Sequence, residues 1–514
     1  MGNTRTRNSI LIMATSGLRQ IATLIFTFIS RTVFIHILGA EYLGLNGLFS
    51  NILSILALSE LGIGTAISFY LYRPVADRDM ERIKSLMHFY KICYRIVGIA
   101  IIGIGLFLMP FLPYMVNFEQ DIPINLYAVF FLNVLNSAMS YLFFAYKQAL
   151  VSANQEQYKI EKINIFFVIV NCLADICILI VFRSYIVYLI TKIILTFVKN
   201  IIIAYRIDCE YPFLKEKKYK PIEKGEIKSI FKDIGQISIF RIGNVLFDAT
   251  DNIIISMLMG TLVVGYYSNY LMIISQVKVV INLIVKSFIA GIGNVAAREC
   301  KEKQYNVFLE LDFVVTFMST ICTVCLFQLL NSFVMLWIGN VNKDYVLSQY
   351  VVGFLCICFF IDCTTQIANV FREASGNFET GKSLQLIGGI INILLSIAFG
   401  KVWGLEGIFG ATVVSKFSIT LIPFFVGVSR NVFGKGSFEL LKNYMRNVIV
   451  MIIDIVILWR MAFKLHMTTI SGFILEIILS AFISVIVTAL IDSKRMEMKL
   501  LLKRVSGICI KRRY

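Results

Sequence analysis

The chain has 514 residues, of which 58% are hydrophobic and 16% are charged, and its formal net charge is +17. A soluble domain carries about 25% charged residues, so this composition excludes an ordinary soluble protein and favours lipid as the solvent. Such an excess of positive charge would indicate nucleic acid in a soluble chain. Here we expect it in the loops on one side of a membrane, and no nucleic-acid partner is predicted.

Fourteen apolar segments are each long enough to cross a bilayer, whose hydrocarbon core of about 30 Å needs roughly 20 residues of helix. In chain order the predicted helices are 11–38, 43–72, 89–116, 124–151, 161–182, 185–206, 230–259, 263–293, 306–337, 347–371, 382–400, 406–427, 444–463 and 470–491. The turns between them are short. The sequence therefore predicts an all-α polytopic membrane protein with about 14 transmembrane helices.

The basic residues alternate between the loops in a way that predicts orientation. If the N-terminus lies inside, 35 of the 49 lysines and arginines fall in interior segments. The exterior loops contain only Arg183, Lys343, Lys401 and Lys464. Cytoplasmic loops of membrane proteins carry such an excess of Lys and Arg. We therefore expect an even number of spans and both termini in the cytoplasm.

An internal repeat relates the first and seventh predicted helices. LGAEYLG at 38–44 is similar to MGTLVVG at 259–265, and Arg19 matches Arg241 at nearly the same offset. A repeat of this length predicts two related halves in the same orientation. The predicted division is a six-helix lobe over 1–206, a basic cytoplasmic linker over 207–229, a second six-helix lobe over 230–427, and two extra helices with a basic tail over 428–514.

The segments LGAEYLGLNGLFSNIL (38–53) and GLEGIFGATVVSK (404–416) resemble the bacterial polysaccharide flippases of the multidrug/oligosaccharidyl-lipid/polysaccharide exporter superfamily. The resemblance implies a V-shaped bundle of two six-helix lobes in the bacterial cytoplasmic membrane. It implies a substrate too, an oligosaccharide linked to undecaprenyl pyrophosphate and moved to the outer leaflet by alternating access. This transport step would serve capsule, O-antigen or exopolysaccharide synthesis, with a polysaccharide polymerase and other assembly proteins as partners.

Basic residues inside the predicted helices are the candidate substrate contacts, since each costs about 2.5–3.5 kcal/mol at a helix centre. Arg19 and Arg241 come first because they occupy matching repeat positions, where two guanidinium groups could hold a pyrophosphate. The wider set for the pyrophosphate and sugar is Arg19, Arg241, Arg31, Lys278, Lys286, Lys192 and Lys199. The alternative for each is snorkelling to the headgroups or pairing within the bundle.

Acidic residues in the second half are the candidates for cation coupling. Asp248 and Asp251 lie in the seventh predicted helix and Asp362 in the tenth. Grouped carboxylates resemble the cation site of the related drug antiporters, so H⁺ or Na⁺ could drive transport there. The alternative is a structural partner for Arg or Lys. No resident cofactor or metal site is predicted, because the cysteines are scattered and the three histidines are far apart.

Other functions remain open at this level. The sequence separates lipid II flipping poorly from export of capsule or O-antigen units. A cation-coupled multidrug exporter would need an acidic cavity, which the intramembrane basic residues disfavour. A membrane glycosyltransferase or polymerase would need a catalytic loop, and every predicted exterior loop is short. We therefore expect a transporter and not an enzyme.

Overall fold

A computed structural model gives the fold of the chain. It describes residues 2–57, 63, 70–71, 73–75, 77–118, 124–143, 145–154, 156–216, 220–377, 379–436, 438–462, 470–493 and 495–498. The side chains of some helical residues, those of Arg241 and Asp248 among them, lie outside this description.

The described residues form helices almost throughout. A four-residue helix, Leu112–Met115, is left unnumbered. The first seven longer helices are α1 (Gly2–Leu38), α2 (Ala40–Leu56), α3 (Met80–Leu108), α4 (Leu126–Phe143), α5 (Ala145–Ala153), α6 (Gln157–Phe182) and α7 (Tyr185–Glu210). The next five are α8 (Lys224–Met259), α9 (Thr261–Arg298), α10 (Lys301–Ile338), α11 (Gln349–Thr364) and α12 (Gln366–Ala374). The last four are α13 (Lys382–Val414), α14 (Ile422–Asn431), α15 (Glu439–Ala462) and α16 (Ile470–Asp492), with a π-helical stretch, Ser415–Leu421, between α13 and α14.

Where the structure describes them, the fourteen predicted segments are helical apart from one or two residues at the ends of some segments and a turn at Thr365. By length and apolar character alone, nine helical stretches in the described ranges can cross a membrane, and the bent pair α4–α5 makes a tenth. One stretch, Ser383–Asn431, contains two predicted helices separated by a kink at Gly404. The prediction of an all-α, multi-pass membrane protein is therefore confirmed.

Several helices are longer than a bilayer requires. Both α9 and α10 have 38 residues, which corresponds to about 57 Å of helix against a hydrocarbon core of about 30 Å. The predicted interior loop 294–305 is therefore mostly helical, because α9 ends at Arg298 and α10 begins at Lys301. In the same way α7 and α8 extend into the predicted linker over 207–229, which leaves 211–223 between them.

The contacts divide the chain into two compact units, Met1–Gly265 and Tyr266–Tyr514. In the first unit α1 packs along α6, α3 along α4, and α2 against α8. In the second, α10 lies against α11, α15 and α16. Large apolar side chains such as Ile99 and Phe107 remain more than 60% exposed on α3, as expected for helices whose outer faces meet lipid.

An aromatic cluster forms part of the core of the second unit. The rings of Phe308, Phe371 and Phe433 lie 5.0–5.7 Å from one another. All three side chains are buried. Rings at these separations pack edge-to-face or tilted, which adds to the apolar area that they bury. The cluster joins α10 to α12 and to the residues that follow α14.

The repeat predicted from sequence has a structural counterpart within the first unit. Gly39 and Gly260 precede α2 and α9, and their φ angles of 87° and 92° lie in the region that favours glycine. Five residues further on, Gly44 packs on the carbonyl of Thr261, and Gly265 packs on the carbonyl of Ala40. These contacts are reciprocal across the repeat, since Ala40 and Gly44 correspond to Thr261 and Gly265. The start of α2 and the start of α9 thus contact each other without side chains between them.

We expect Gly44→Ala to destabilise the protein, because its Cβ would overlap the carbonyl oxygen of Thr261. Overpacking of this kind costs about 1–3 kcal/mol. The measurement is the apparent melting temperature of the full chain in detergent. Gly103→Ala on α3 is the matched control, since nothing lies within 4 Å of that position. Equal melting temperatures for the two variants would contradict the contact.

Candidate binding cavity

In the first unit, a tight turn places a carboxylate and an ammonium group at the same level along two antiparallel helices. Helices α6 and α7 are joined through Arg183 and Ser184, and Arg183 adopts a left-handed conformation with φ of 48°. Asp175 and Lys192 stand at equal distances in sequence from the middle of this turn. Each is about 13 Å of helix away from it at 1.5 Å per residue. An antiparallel helix pair therefore places the two side chains side by side.

The carboxylate of Asp175 is buried, with 4% of the residue exposed. Its Oδ2 accepts a hydrogen bond of 2.6 Å from Ser30 Oγ on α1 and lies 3.6 Å from Lys192 Nζ. The ammonium group of Lys192 stands over the ring of Tyr188, 4.6 Å from its centroid. The lysine is thus held by an anion and an aromatic face, which both favour its charged form.

These residues line a cavity of about 260 Å³ between α1, α2, α6 and α7. Arg31 lies in its wall together with Asp175 and Lys192. Neutral polar side chains complete the wall, among them Asn46 and Asn171. A polar cavity inside apolar helices has room for water or for a polar ligand.

A second cavity of about 470 Å³ adjoins the first in the same unit. The two share Asn46 and Lys192 in their walls. Its other polar lining consists of amides and hydroxyls from α2, α4 and α7, namely Ser50, Ser54, Asn133, Asn136, Ser137, Ser140, Tyr141 and Thr196. Such groups donate and accept hydrogen bonds without carrying charge, which is the chemistry that sugar hydroxyls need.

Arg19 is paired in the structure with a carboxylate to which the sequence analysis assigned no role. Its Nε lies 2.6 Å from Glu161 Oε2 at the start of α6, and the carboxylate side chain is 6% exposed. Lys199 on α7 is close enough to Arg19 for their charges to interact. Two predicted substrate residues thus lie together, and one buried carboxylate accompanies them.

The second unit contains a separate charged cluster of two lysines and one carboxylate. Asp362, in the last turn of α11, accepts a hydrogen bond of 2.8 Å from Lys278 on α9. Lys416 donates to both of its oxygens, at 3.0 and 3.2 Å. Lys416 lies in the π-helical stretch between α13 and α14. π-Helical turns inside α-helices are rare and frequently occur at functional sites. Both oxygens of Asp362 therefore already bind ammonium groups.

The other predicted site residues lie apart from these clusters or outside the description. Arg241 and Asp248 are on α8, and their side chains are outside the described set. Asp251, also on α8, is 5% exposed and belongs to the first unit. Lys286 is exposed on α9. The substrate and cation-coupling roles of all these residues stay predictions.

Sequence reasoning assigned no role to several residues that the structure places at these sites. They are Ser30, Asn46, Glu161, Asp175, Tyr188 and Lys416. For Asp175 a signal was present, because its distance from the turn at Arg183–Ser184 equals that of Lys192. The pairs that join distant helices, such as Lys416 and Asp362, leave no comparable trace in the sequence.

Comparison with solved structures relates this fold to membrane transporters. The lipid II flippase MurJ in an inward closed conformation superposes with a TM-score of 0.66, at 14% identity, over 94% of this chain and 99% of that one. An inward-facing multidrug resistance MATE family transporter of the MOP superfamily superposes with a TM-score of 0.63, at 14% identity, over 82% of this chain and 96% of that one. A MOP superfamily transporter from Pyrococcus furiosus superposes with a TM-score of 0.52, at 14% identity, over 80% of this chain and 96% of that one. That transporter is described as having a binding pocket of reverse polarity.

The chain has the fold of the MATE and MurJ transporters. At 14% identity the comparison shows the fold alone. No protein-family model matches the sequence, and no curated protein matches it either. Substrate and mechanism must therefore be argued from this chain's own side chains.

We expect Asp175 and Lys192 to be strongly coupled in stability. Lys192→Gln removes the ammonium partner of a buried carboxylate, so it should destabilise the protein more in the presence of Asp175 than in an Asp175→Asn background. The double-mutant cycle, measured by denaturation in mixed micelles, should give a coupling of about 1–3 kcal/mol.

The matched control for that cycle is the exposed pair Lys303 and Glu299, in which Nζ lies 2.8 Å from Oε1. Exposed ion pairs contribute about 0.2–1 kcal/mol. A coupling for Asp175 and Lys192 no larger than that of the exposed pair would show that their contact is incidental.

Proposed function

We propose that the chain is a flippase for an anionic lipid-linked glycan. The substrate class is an oligosaccharide repeat unit on undecaprenyl pyrophosphate, moved from the inner to the outer leaflet by alternating access in a bacterial cytoplasmic membrane. Capsule, O-antigen or exopolysaccharide synthesis would use such a step. A polysaccharide polymerase is the natural partner, because it consumes the glycan on the outer side. No catalytic step is proposed.

The observation that carries this proposal is the cavity lined by Arg31, Asp175 and Lys192 within the first unit. A basic side chain inside a membrane helix costs about 2.5–3.5 kcal/mol. Two basic side chains and one carboxylate face this cavity, so the wall carries more positive than negative charge. A fixed cationic wall inside apolar helices favours a ligand with negative charge.

The chemistry of the two adjoining cavities corresponds to the two parts of the proposed substrate. A guanidinium such as that of Arg31 matches phosphate oxygens with two parallel hydrogen bonds, and Lys192 adds a point charge. The amides and hydroxyls of the second cavity suit sugar hydroxyls. The lipid tail can remain in the bilayer. Moving a negative charge outward is favoured by about 2.3 kcal/mol per 100 mV of inside-negative potential.

Lipid II flipping is the second candidate, and the fold similarity to MurJ over 94% of this chain favours it. Lipid II shares the pyrophosphate and the undecaprenyl tail, so the charge argument applies to both substrates. A multidrug exporter has the same fold support. A cationic drug would meet a wall with excess positive charge, which is why we rank that function below the two flippases.

We expect loss of this protein to cause accumulation of a completed undecaprenyl-pyrophosphate-linked repeat unit at the inner leaflet. The measurement is the pool of lipid-linked intermediates in a deletion strain complemented with variants. Lys192→Gln should reduce complementation about tenfold or more, because a charge-assisted hydrogen bond contributes about 1.5–3 kcal/mol. Lys192→Arg should retain most of it.

Lys442→Gln is the control for that assay, since Lys442 is exposed on α15. Accumulation of lipid II with an unchanged repeat-unit pool would replace the first substrate with the second. Unchanged lipid pools with raised drug sensitivity would contradict both flippase proposals.

Ion coupling is a separate part of the proposal. Asp362 was a candidate for H⁺ or Na⁺ binding, but its two oxygens accept three hydrogen bonds from Lys278 and Lys416. A free Na⁺ would have to displace an ammonium group from each oxygen that it used. We therefore propose that these lysines act as built-in counter-ions of Asp362.

The expected consequence is that Na⁺ is dispensable at this carboxylate. Replacing Na⁺ by choline at constant pH should change the flipping rate in proteoliposomes by the same factor, to within about twofold, for the wild type and for Asp362→Asn; that margin is below the effect of one exposed charge pair at roughly 1 kcal/mol. A large loss of rate in choline that disappears in Asp362→Asn would instead identify Asp362 as a Na⁺ site.

A further inference from the structure

A third cavity lies at a different place in the first unit, at the end that the basic-residue distribution assigns to the cytoplasm. Its volume is about 550 Å³. The start of α3, α5, the end of α7 and the 3₁₀ turn Pro212–Lys215 enclose it. The Lys, His, Asp and Glu side chains in its wall are Lys84, His88, Lys91, Lys147, Asp208 and Glu216. None of these residues lines the two cavities described above.

The sequence of α3 explains why so many basic groups face one cavity. Lys84, His88, Lys91 and Arg95 are spaced by four, three and four residues. At 100° per residue this spacing keeps the four side chains on one face of the helix, over a length of about 16 Å. The stripe therefore runs from the helix start towards the bilayer, with Arg95 at its inner end.

The two carboxylates of this cavity are already occupied by lysines. Lys147, 9% exposed, donates to Asp208 Oδ1 at 2.6 Å. Lys84 donates to Glu216 Oε2 at 2.5 Å. These pairs fix the positions of two of the three lysines in the wall. Because each carboxylate has an ammonium partner, the cavity is poorly suited to a metal cation.

Lys91 is the lysine that remains. No hydrogen bond or ion pair joins its ammonium group to another described residue, and the charges of Arg95 and Lys147 act on it unfavourably. Asp208 also acts on it electrostatically, but that carboxylate is bonded to Lys147. An ammonium group held among other cations is stabilised by any anion that enters.

We propose that this cavity binds a phosphate-bearing anion, with Lys91 as the principal contact. The geometry favours a phosphate group over a carboxylate ligand or a cation, since several separate ammonium groups can each donate to one of its oxygens. Met87 and Phe213 add apolar wall beside them. Basic pockets at the cytoplasmic ends of membrane helices suit anionic lipid headgroups, and a soluble phosphate has the same chemistry. The site does not depend on the function proposed above.

The test is calorimetric titration of the purified full-length protein in neutral detergent. The probes are a short-chain phosphatidylglycerol, a short-chain phosphatidylcholine and inorganic pyrophosphate. Phosphatidylglycerol should bind more tightly than phosphatidylcholine. Lys91→Gln should weaken that binding about fivefold or more, because each basic residue near an anionic surface contributes about 1 kcal/mol, and 1.4 kcal/mol is tenfold.

Two further variants keep the experiment decisive. Lys91→Arg should bind within about twofold of the wild type, which shows that charge and not local packing is required. Lys224→Gln, at an exposed position near the start of α8, should have no effect. An unchanged size-exclusion profile checks that each of the Lys91 and Lys224 variants is folded.

The two sources of the ligand are separated by the probes. Binding of phosphatidylglycerol alone identifies a membrane lipid, whereas comparable Lys91-dependent binding of pyrophosphate identifies a soluble phosphate compound. The proposal is overturned if neither probe binds, if phosphatidylcholine binds as well as phosphatidylglycerol, or if Lys91→Gln and Lys224→Gln behave alike.

Discussion

The structure depends on the cost of an ionised side chain among apolar helices. A carboxylate or ammonium group in such surroundings needs a partner, since solvation by water is lost. Glu161 is paired with Arg19, Asp175 with Lys192 and Ser30, and Asp362 with Lys278 and Lys416. Asp454, 0% exposed, accepts hydrogen bonds from Ser484 and Thr488 instead. Each contact joins different helices, so meeting this cost also fixes how those helices pack.

Positive charge exceeds negative charge at two of these places. Two basic residues and one carboxylate face the cavity between α1, α2, α6 and α7. Two lysines surround Asp362 in the second unit. This imbalance is a property of the side chains and not of the fold, which drug transporters and a lipid flippase share. The substrate argument therefore depends on the charges, because at 14% identity a common fold does not determine what the cavity binds.

The reciprocal glycine contact shows how the repeat is used within the first unit. Gly39 and Gly260 turn the chain in the same way before α2 and α9, and Gly44 and Gly265 let the two helix starts approach at the backbone. Thr261 Oγ1 also donates to Glu41 Oε2 at 2.6 Å across this contact. Helices that approach this closely need small residues, which is why glycine recurs at the same repeat position.

The sequence by itself determined the class of fold, the location of fourteen helical segments and the glycine repeat, because these follow from apolar run length and local spacing. It also selected Arg31, Lys192 and Lys278 as charges within the apolar helices, since a basic residue in an apolar run is visible without a structure. Only the tertiary structure decided the partners of the charged residues: Arg19 meets Glu161 on a different helix, and Lys416 meets Asp362 across 54 residues of sequence. Such contacts depend on which helix faces lie together, and hydrophobic periodicity does not specify that when helices are apolar all round.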